Sequence, residues 1–257
     1  MNAPEIPPYF AVGPAGHPPS QRWMALAVLA TFVQFLYVER VSAQATDATT
    51  AVHFLEQATF GPTALDVASV QATGPSAWIQ QQLAMPESPI PDGLDGNAVR
   101  AQAYLNMANG PDQLRQRAIF ALSQTIVVSA NKVGNGDQLT PWMRLLSRHA
   151  FGNFHTLLRE VSLSPTMGKY LDNVYNRRAT TTTSPNENYA RELMELHTMG
   201  VDGGYSQRDV ENVAKAYTGW GVQGTAFFFN PSNHDNTQKL VLGNTIPAGR
   251  GIEDGRS

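Results

Sequence analysis

Residues 184–220 constrain the fold of this chain more than any other stretch, because they spell out two amphipathic helices joined by a glycine loop. Ser184 stands before Pro185 and Glu187, so an N-cap serine, a proline at the first helical position and a capping-box glutamate coincide. On a helix that starts there, Tyr189, Ala190, Leu193 and Leu196 share one face. Glu187, Arg191 and Glu195 share the opposite side, with Asn188 and Glu192 at one border and His197 at the other. Gly200 ends the helix, and Gly203 and Gly204 complete the loop. Ser206, with Asp209 three residues on, caps a second helix. Its stripe of Val210, Val213, Ala214 and Tyr217 stops at Gly219, just before Trp220. Two such helices must pack as a hairpin.

The remaining chain reads as short helices punctuated by caps. Val52, Leu55 and Ala58 follow Thr50 and stop at Gly61-Pro62, and Thr63 with Asp66 opens the next helix. Trp78, Ile79 and Leu83 mark a third, after Gly74-Pro75, and residues 86–96 are a loop by composition. Asp112 caps a helix running to about Ser129 with apolar residues on more than one side, which predicts a central, largely buried element. Arg115 on that helix either snorkels to water or pairs with a carboxylate, Glu192 being one candidate. Residues 131–140 read as a polar loop, and Pro141 opens a helix through Trp142, Leu145 and Leu146. Phe154, Leu157, Leu158 and Val161 continue a helical stripe to Pro165, and residues 177–184 form a polar linker. Strand character appears only in residues 226–230 and 239–243, read as one small hairpin with a long loop. The expected fold is mainly α: a multi-helix orthogonal or bundle-like domain with a small C-terminal β-hairpin.

Residues 25–38 form an apolar run preceded by Arg22 and followed by the small-x-small pattern Ala43-Gln44-Ala45. The run is short for a membrane span and suits a signal peptide over residues 22–45, behind a Pro-rich extension at 1–21. The mature chain then begins near Thr46 and is periplasmic or extracellular; an uncleaved anchor is the other reading. No other membrane span is expected. Cysteine is absent, which excludes disulfides, thiol nucleophiles and Cys-ligated metals. A net charge of −3 offers no basic stripe for nucleic acid.

The segment Asn186-Glu187-Asn188-Tyr189-Ala190-Arg191-Glu192-Leu193-Met194-Glu195-Leu196-His197, continuing to Trp220, resembles the hallmark of a bacterial family filed as domain of unknown function 1800. The likeness extends from Phe54-Leu55-Glu56-Gln57 through Asp112-Gln113-Leu114-Arg115 and His149-Ala150-Phe151-Gly152 to His234-Asp235 and the run Gly249-Arg250-Gly251-Ile252-Glu253-Asp254-Gly255. The resemblance implies no established activity. It also implies that helical sequence follows the last motif, so that residues 46–257 are the N-terminal part of a longer family domain.

Chemistry and scaffolding compete for the same side chains. Glu192, Glu195 and His197 are the catalytic candidates, since paired carboxylates near a histidine divide acid and base work. His234 and Asp235 are candidate ligands for a divalent metal, although no His-Glu-x-x-His pattern is present. Against this, Glu187, Arg191 and Glu195 make a plain i, i+4 ladder on an exposed helix. The loop at residues 202–209 lacks the alternating oxygens of a calcium site, and capping explains it. His149 and His155 are read as packing residues. Two functions stay open: an exported scaffold with a binding or assembly role and an envelope protein partner, or an exported hydrolase or lyase acting on an envelope or extracellular polymer.

Overall fold

The computed structural model describes residues 46–256; the apolar run, its cleavage pattern and the Pro-rich extension lie outside them. Eleven α-helices and two small sheets make up the described part. Among the described residues no helix is long and apolar enough to cross a membrane.

Helices α1 (Ala48–Ala58), α2 (Ala64–Thr73) and α3 (Pro75–Ala84) form a small subcluster around Leu55, Val70 and Trp78. Asp47, rather than Thr50, caps α1 by accepting the Thr50 N–H, so that helix starts earlier than its apolar stripe suggests. The Thr63–Asp66 capping box opens α2 as read from the sequence. Phe54 stands edge-on to Trp78 at 5.4 Å between ring centroids.

Helix α4 (Gly96–Asn109) has no counterpart in the sequence reading. Its buried positions are Gly96, Val99, Ala103 and Asn106, which leave no apolar stripe to find. Helix α5 (Gln113–Thr125) is shorter and less buried than expected. Gln116, Ile119 and, just past its end, Ile126 are buried, while Phe120 and Val127 stay exposed. It is therefore a one-faced rather than a largely buried helix, although it packs against α1, α3 and α4. Asp112 makes no cap bond; its carboxylate turns back to accept from Ser88 and Gln116.

The stretch read as a loop at 131–140 is mostly helical. Helix α6 covers Ala130–Val133, and α7 (Gly136–Arg148) begins before Pro141, which sits inside it. Gly136 explains the start. A Cβ there would lie 1.5 Å from the Leu94 carbonyl oxygen, so only glycine lets the first turn of α7 pass the loop that precedes α4. Helices α8 (Phe154–Ser162) and α9 (Pro165–Tyr170) follow, α8 capped by Asn153 on the Thr156 N–H.

The expected helix pair is present as α10 (Asn188–Glu195) and α11 (Gln207–Ala216). The single hairpin is not. Strand β1 (Trp220–Gln223) pairs with β2 (Ala226–Phe229), and β3 (Lys239–Val241) with β4 (Asn244–Ile246), each antiparallel. The two apolar runs thus pair with their own neighbours across tight turns, where loop closure is cheapest, rather than with each other. The main core joins α5 and α7–α11 to β1 through Ile119, Trp142, Leu146, Val161, Tyr189 and Trp220.

Gly136→Ala should destabilise the fold by about 3 kcal/mol, because the obstructing atom is backbone and cannot rotate away. A fall in the urea midpoint at unchanged slope would show it.

Candidate functional site

Helix α10 begins later than its sequence suggests. Ser184 is exposed and caps nothing; Glu187 is the N-cap, and the Asn186 Oδ1 accepts the Asn188 N–H at 2.9 Å. A side chain distant in sequence overrides the local signal. The Asn176 amide holds the Asn186 backbone on both sides, accepting from its N–H at 2.8 Å and donating to its carbonyl at 3.2 Å. The Asn176 carbonyl also accepts the Gly219 N–H, so one asparagine fixes the entry to α10 against the exit from α11.

The other end also differs. After Glu195 the backbone widens, with His197 N–H donating to the Glu192 carbonyl and Met199 N–H to that of Met194. The extra residue per turn rotates Leu196 out, 58% exposed, and His197 in, 5% exposed. The buried face is accordingly Tyr189, Ala190 and Met194. Beyond it, the loop turns at Gly200 and Gly203, and the Ser206–Asp209 capping box opens α11 as expected. Asp209 reaches further: its second oxygen accepts the Leu242 N–H at 2.7 Å, and its hydrogen bonds from Ser206 and Leu242 hold the carboxyl below its usual range.

The polar face of α10 is a bridge between helices. Arg191 pairs with Glu187 at 3.0 Å, and Gln207 of α11 bonds to both, donating to Glu187 and accepting from Arg191. Gln207 takes the place expected for Glu195, which makes no ion pair among the described residues. Glu192 is not the partner of Arg115. That guanidinium donates to the Ser147 carbonyl at 2.8 Å, lies 3.8 Å from Asp112 and stacks 4.9 Å over Phe151.

Below this face runs a ladder of rings in edge-to-face contact: Tyr189 to Tyr217 at 4.9 Å, Tyr217 to Trp220 at 4.8 Å, and Trp220 to Phe227 at 4.9 Å. Each contact contributes about 0.5–1.5 kcal/mol beyond its buried area. The Tyr189 hydroxyl meets Ser162 Oγ at 2.6 Å, and burial raises the Tyr189 phenol well above its ordinary pKa, so it stays neutral.

Of the three catalytic candidates, the structure brings two together. Glu192 and His197 line one cavity of about 170 Å³, whose walls include Val127, Tyr170, Leu171 and Leu196; Glu195 does not line it. Neither Glu192 nor the His197 ring is engaged with another side chain, and His197 Nδ1 is buried without a partner. Burial lowers the His197 pKa, so the imidazole is neutral at neutral pH. A neutral imidazole beside a free carboxylate in a half-apolar cavity is able to bind and to exchange protons. Asp172, which follows the lining residue Leu171, adopts a left-handed backbone (φ 58°), held by Lys132 at 2.7 Å and by Asn188.

His234 and Asp235 lie elsewhere, in a buried charge cluster centred on Lys239, which the sequence did not single out. His234 Nδ1 donates to the Thr218 carbonyl at 2.8 Å, and its Nε2 lies 3.1 Å from Asp254 Oδ2. Lys239, 1% exposed, donates to Asp254 Oδ2 at 2.6 Å and to the carbonyls of Asp235 and Thr237. All three ammonium protons are used, and an internal cation sits where an oxygen cage would hold a metal ion. Both His234 nitrogens are occupied. Among the described residues no group of three or more His, Asp or Glu side chains is arranged for a metal. In the sequence, His234-Asp235 and the motif at residues 249–255, which contains Asp254, pointed to parts of this cluster, and Lys239 did not stand out.

The family model described as Protein of unknown function (DUF1800) matches residues 53–257. The chain belongs to that family. Neither the curated proteins nor the solved structures contain a match. The DUF1800 match spans both the ring ladder and the Lys239 cluster, so each is part of the family domain in this chain.

Lys239→Met should cost about 3–5 kcal/mol, since it leaves Asp254 buried beside an uncharged group. Thermal or urea unfolding measures it, and adding Asp254→Asn should recover part of the loss.

Proposed function

We propose that this DUF1800 chain is an exported helical protein with a binding or assembly role in the cell envelope, and that its signature helix pair is the keystone of the fold. The observation that supports this reading is where the signature's polar groups go. Asn186 is spent on Asn176, Glu187 and Arg191 on Gln207, and Asp209 on Ser206 and Leu242. All of these bonds but the Asp209–Ser206 cap tie one segment to another, and Glu187 also lines a cavity of about 280 Å³. The apolar run at residues 25–38 with Ala43-Gln44-Ala45 supports export. Expressed in a bacterium, the chain should be recovered from the periplasm or medium with an N-terminus near Thr46 by mass spectrometry. Recovery of the uncleaved chain in the cytoplasm defeats the export reading. Arg191→Ala should lower stability by about 1 kcal/mol, the typical worth of a hydrogen-bonded pair.

The hydrolase or lyase reading keeps one observation in its favour: Glu192 and His197 share a cavity and neither is used elsewhere. On that reading Glu192→Gln melts like the parent, because no internal bond is lost. It also abolishes release of soluble fragments from an envelope polymer. A parent protein that releases no fragments eliminates the enzyme.

A further inference from the structure

A second cavity, of about 240 Å³, opens between α8, α10, α11 and the β3–β4 turn. Leu158, Leu193, Met194, Val213, Val241 and Leu242 form its apolar wall, and no Asp or Glu lines it. His155 and Arg159 also line it, one turn apart on α8 and both exposed. Arg159 has no ion pair among the described residues. An unpaired guanidinium beside an apolar cavity is complementary to an anion carrying an aliphatic chain.

Leu242 supplies the independent observation. Leu242 and Gly243 form the two-residue turn between β3 and β4, with φ of 51° and 79°. A turn with both central residues left-handed selects Asn, Asp or Gly at the first position, where a bulky side chain is strained. Asp209 clamps the Leu242 N–H in that conformation at 2.7 Å. Core burial does not offset the strain, because the side chain is 45% exposed and faces the cavity. Strained residues of this kind gather at ligand clamps. Met199, on the same wall, adds an adaptable thioether surface.

We propose that this cavity binds a free, medium-chain aliphatic carboxylate. The chain lies on Leu193, Val213 and Leu242, and the carboxylate pairs with Arg159. At roughly 30 Å³ per water-sized group, the space takes on the order of eight methylenes, which makes octanoate the probe. The inference is independent of the function proposed above and of the Glu192–His197 cavity.

Titration calorimetry of the full chain tests it. Octanoate should bind saturably at one site, and octan-1-ol about tenfold more weakly or worse, for want of the charged hydrogen bonds. Arg159→Gln, at an exposed position, should weaken octanoate by about the same factor and leave octanol unchanged. Leu242→Asn should weaken both ligands while holding or raising the melting temperature, because asparagine suits the turn. That opposition of stability and affinity is what a merely structural leucine would not show. No saturable octanoate binding by the parent, or equal binding by both variants, overturns the proposal. Self-association or attachment to phosphatidylglycerol vesicles that needs Leu242, without octanoate binding, also overturns it and gives the face to a second copy or to a membrane.

Discussion

The contact on which the described structure depends is the edge-to-face ladder of Tyr189, Tyr217, Trp220 and Phe227. These rings come from α10, the end of α11, β1 and β2, so a single row of contacts sets the relative position of both signature helices and the first sheet. Ser162 extends the row into α8 by meeting both tyrosine hydroxyls, at 2.6 and 3.3 Å. The T-shaped geometry is directional, unlike aliphatic packing, and the shared hydroxyl contact fixes the rotation of each helix as well as its depth. The two residues between Tyr217 and Trp220 carry the constraint onward. Thr218 holds His234 through its carbonyl and the Asp235 N–H through its hydroxyl, while Gly219 bonds to Asn176 and Asn230. The charge cluster and the polar bridge of α10 are therefore both referenced to the same rings.

Gly219 shows why the ladder tolerates so little change at its centre. Its φ is 83°, and a Cβ would approach the Asn230 carbonyl to 2.7 Å. The chain must turn sharply there so that Tyr217 and Trp220 face the same row from a helix and a strand. Desolvation acts in the same direction. Lys239 and Asp254 would be costly if unpaired, but the ammonium is saturated by three oxygens, so the cluster rewards one geometry only. Specificity of the C-terminal segment thus comes from charge, whereas that of the helix pair comes from aromatic geometry.

What was legible in the sequence follows this division between local and distant causes. The capping boxes at Thr63–Asp66 and Ser206–Asp209 are closed within four residues, and both are present. Ser184 carried an equally clear cap signal and lost, because Asn176, ten residues from Asn186, grips the backbone first. Leu196 and His197 exchanged places because the last turn of α10 widens, which no helical periodicity anticipates. The sequence does not separate the two hairpins, because Trp220 reads as the end of the helix motif and not as the start of a strand. The place of Lys239 in the charge cluster was not legible for another reason: two of its acceptors are backbone carbonyls, which have no sequence signature. Within the candidate site, Glu192 and His197 stood out at the borders of α10, and the structure brings them to one cavity. Asp172, next in the chain to the cavity residue Leu171, gave no signal.

Residues that break a local rule are informative only after their compensation has been sought. Among the described residues three non-glycines have left-handed backbones: Asp172, Tyr175 and Leu242. Asp tolerates the conformation, and Asp172 is further held by Lys132. Tyr175 is a genuine outlier by residue type, yet its N–H donates to the Trp220 carbonyl and its hydroxyl to the Val222 carbonyl, so strand β1 enforces it from both ends. Leu242 has one such bond, from its N–H to Asp209, and that bond serves the backbone alone; asparagine would keep it. Its side chain receives no polar bond and is not buried in a core cluster. The Lys132 ion pair and the β1 carbonyls account for the first two cases, and only the third leaves a strained side chain whose cost the fold itself does not offset. Its surroundings, an apolar wall ending at an unpaired arginine, are where that strain acquires a use.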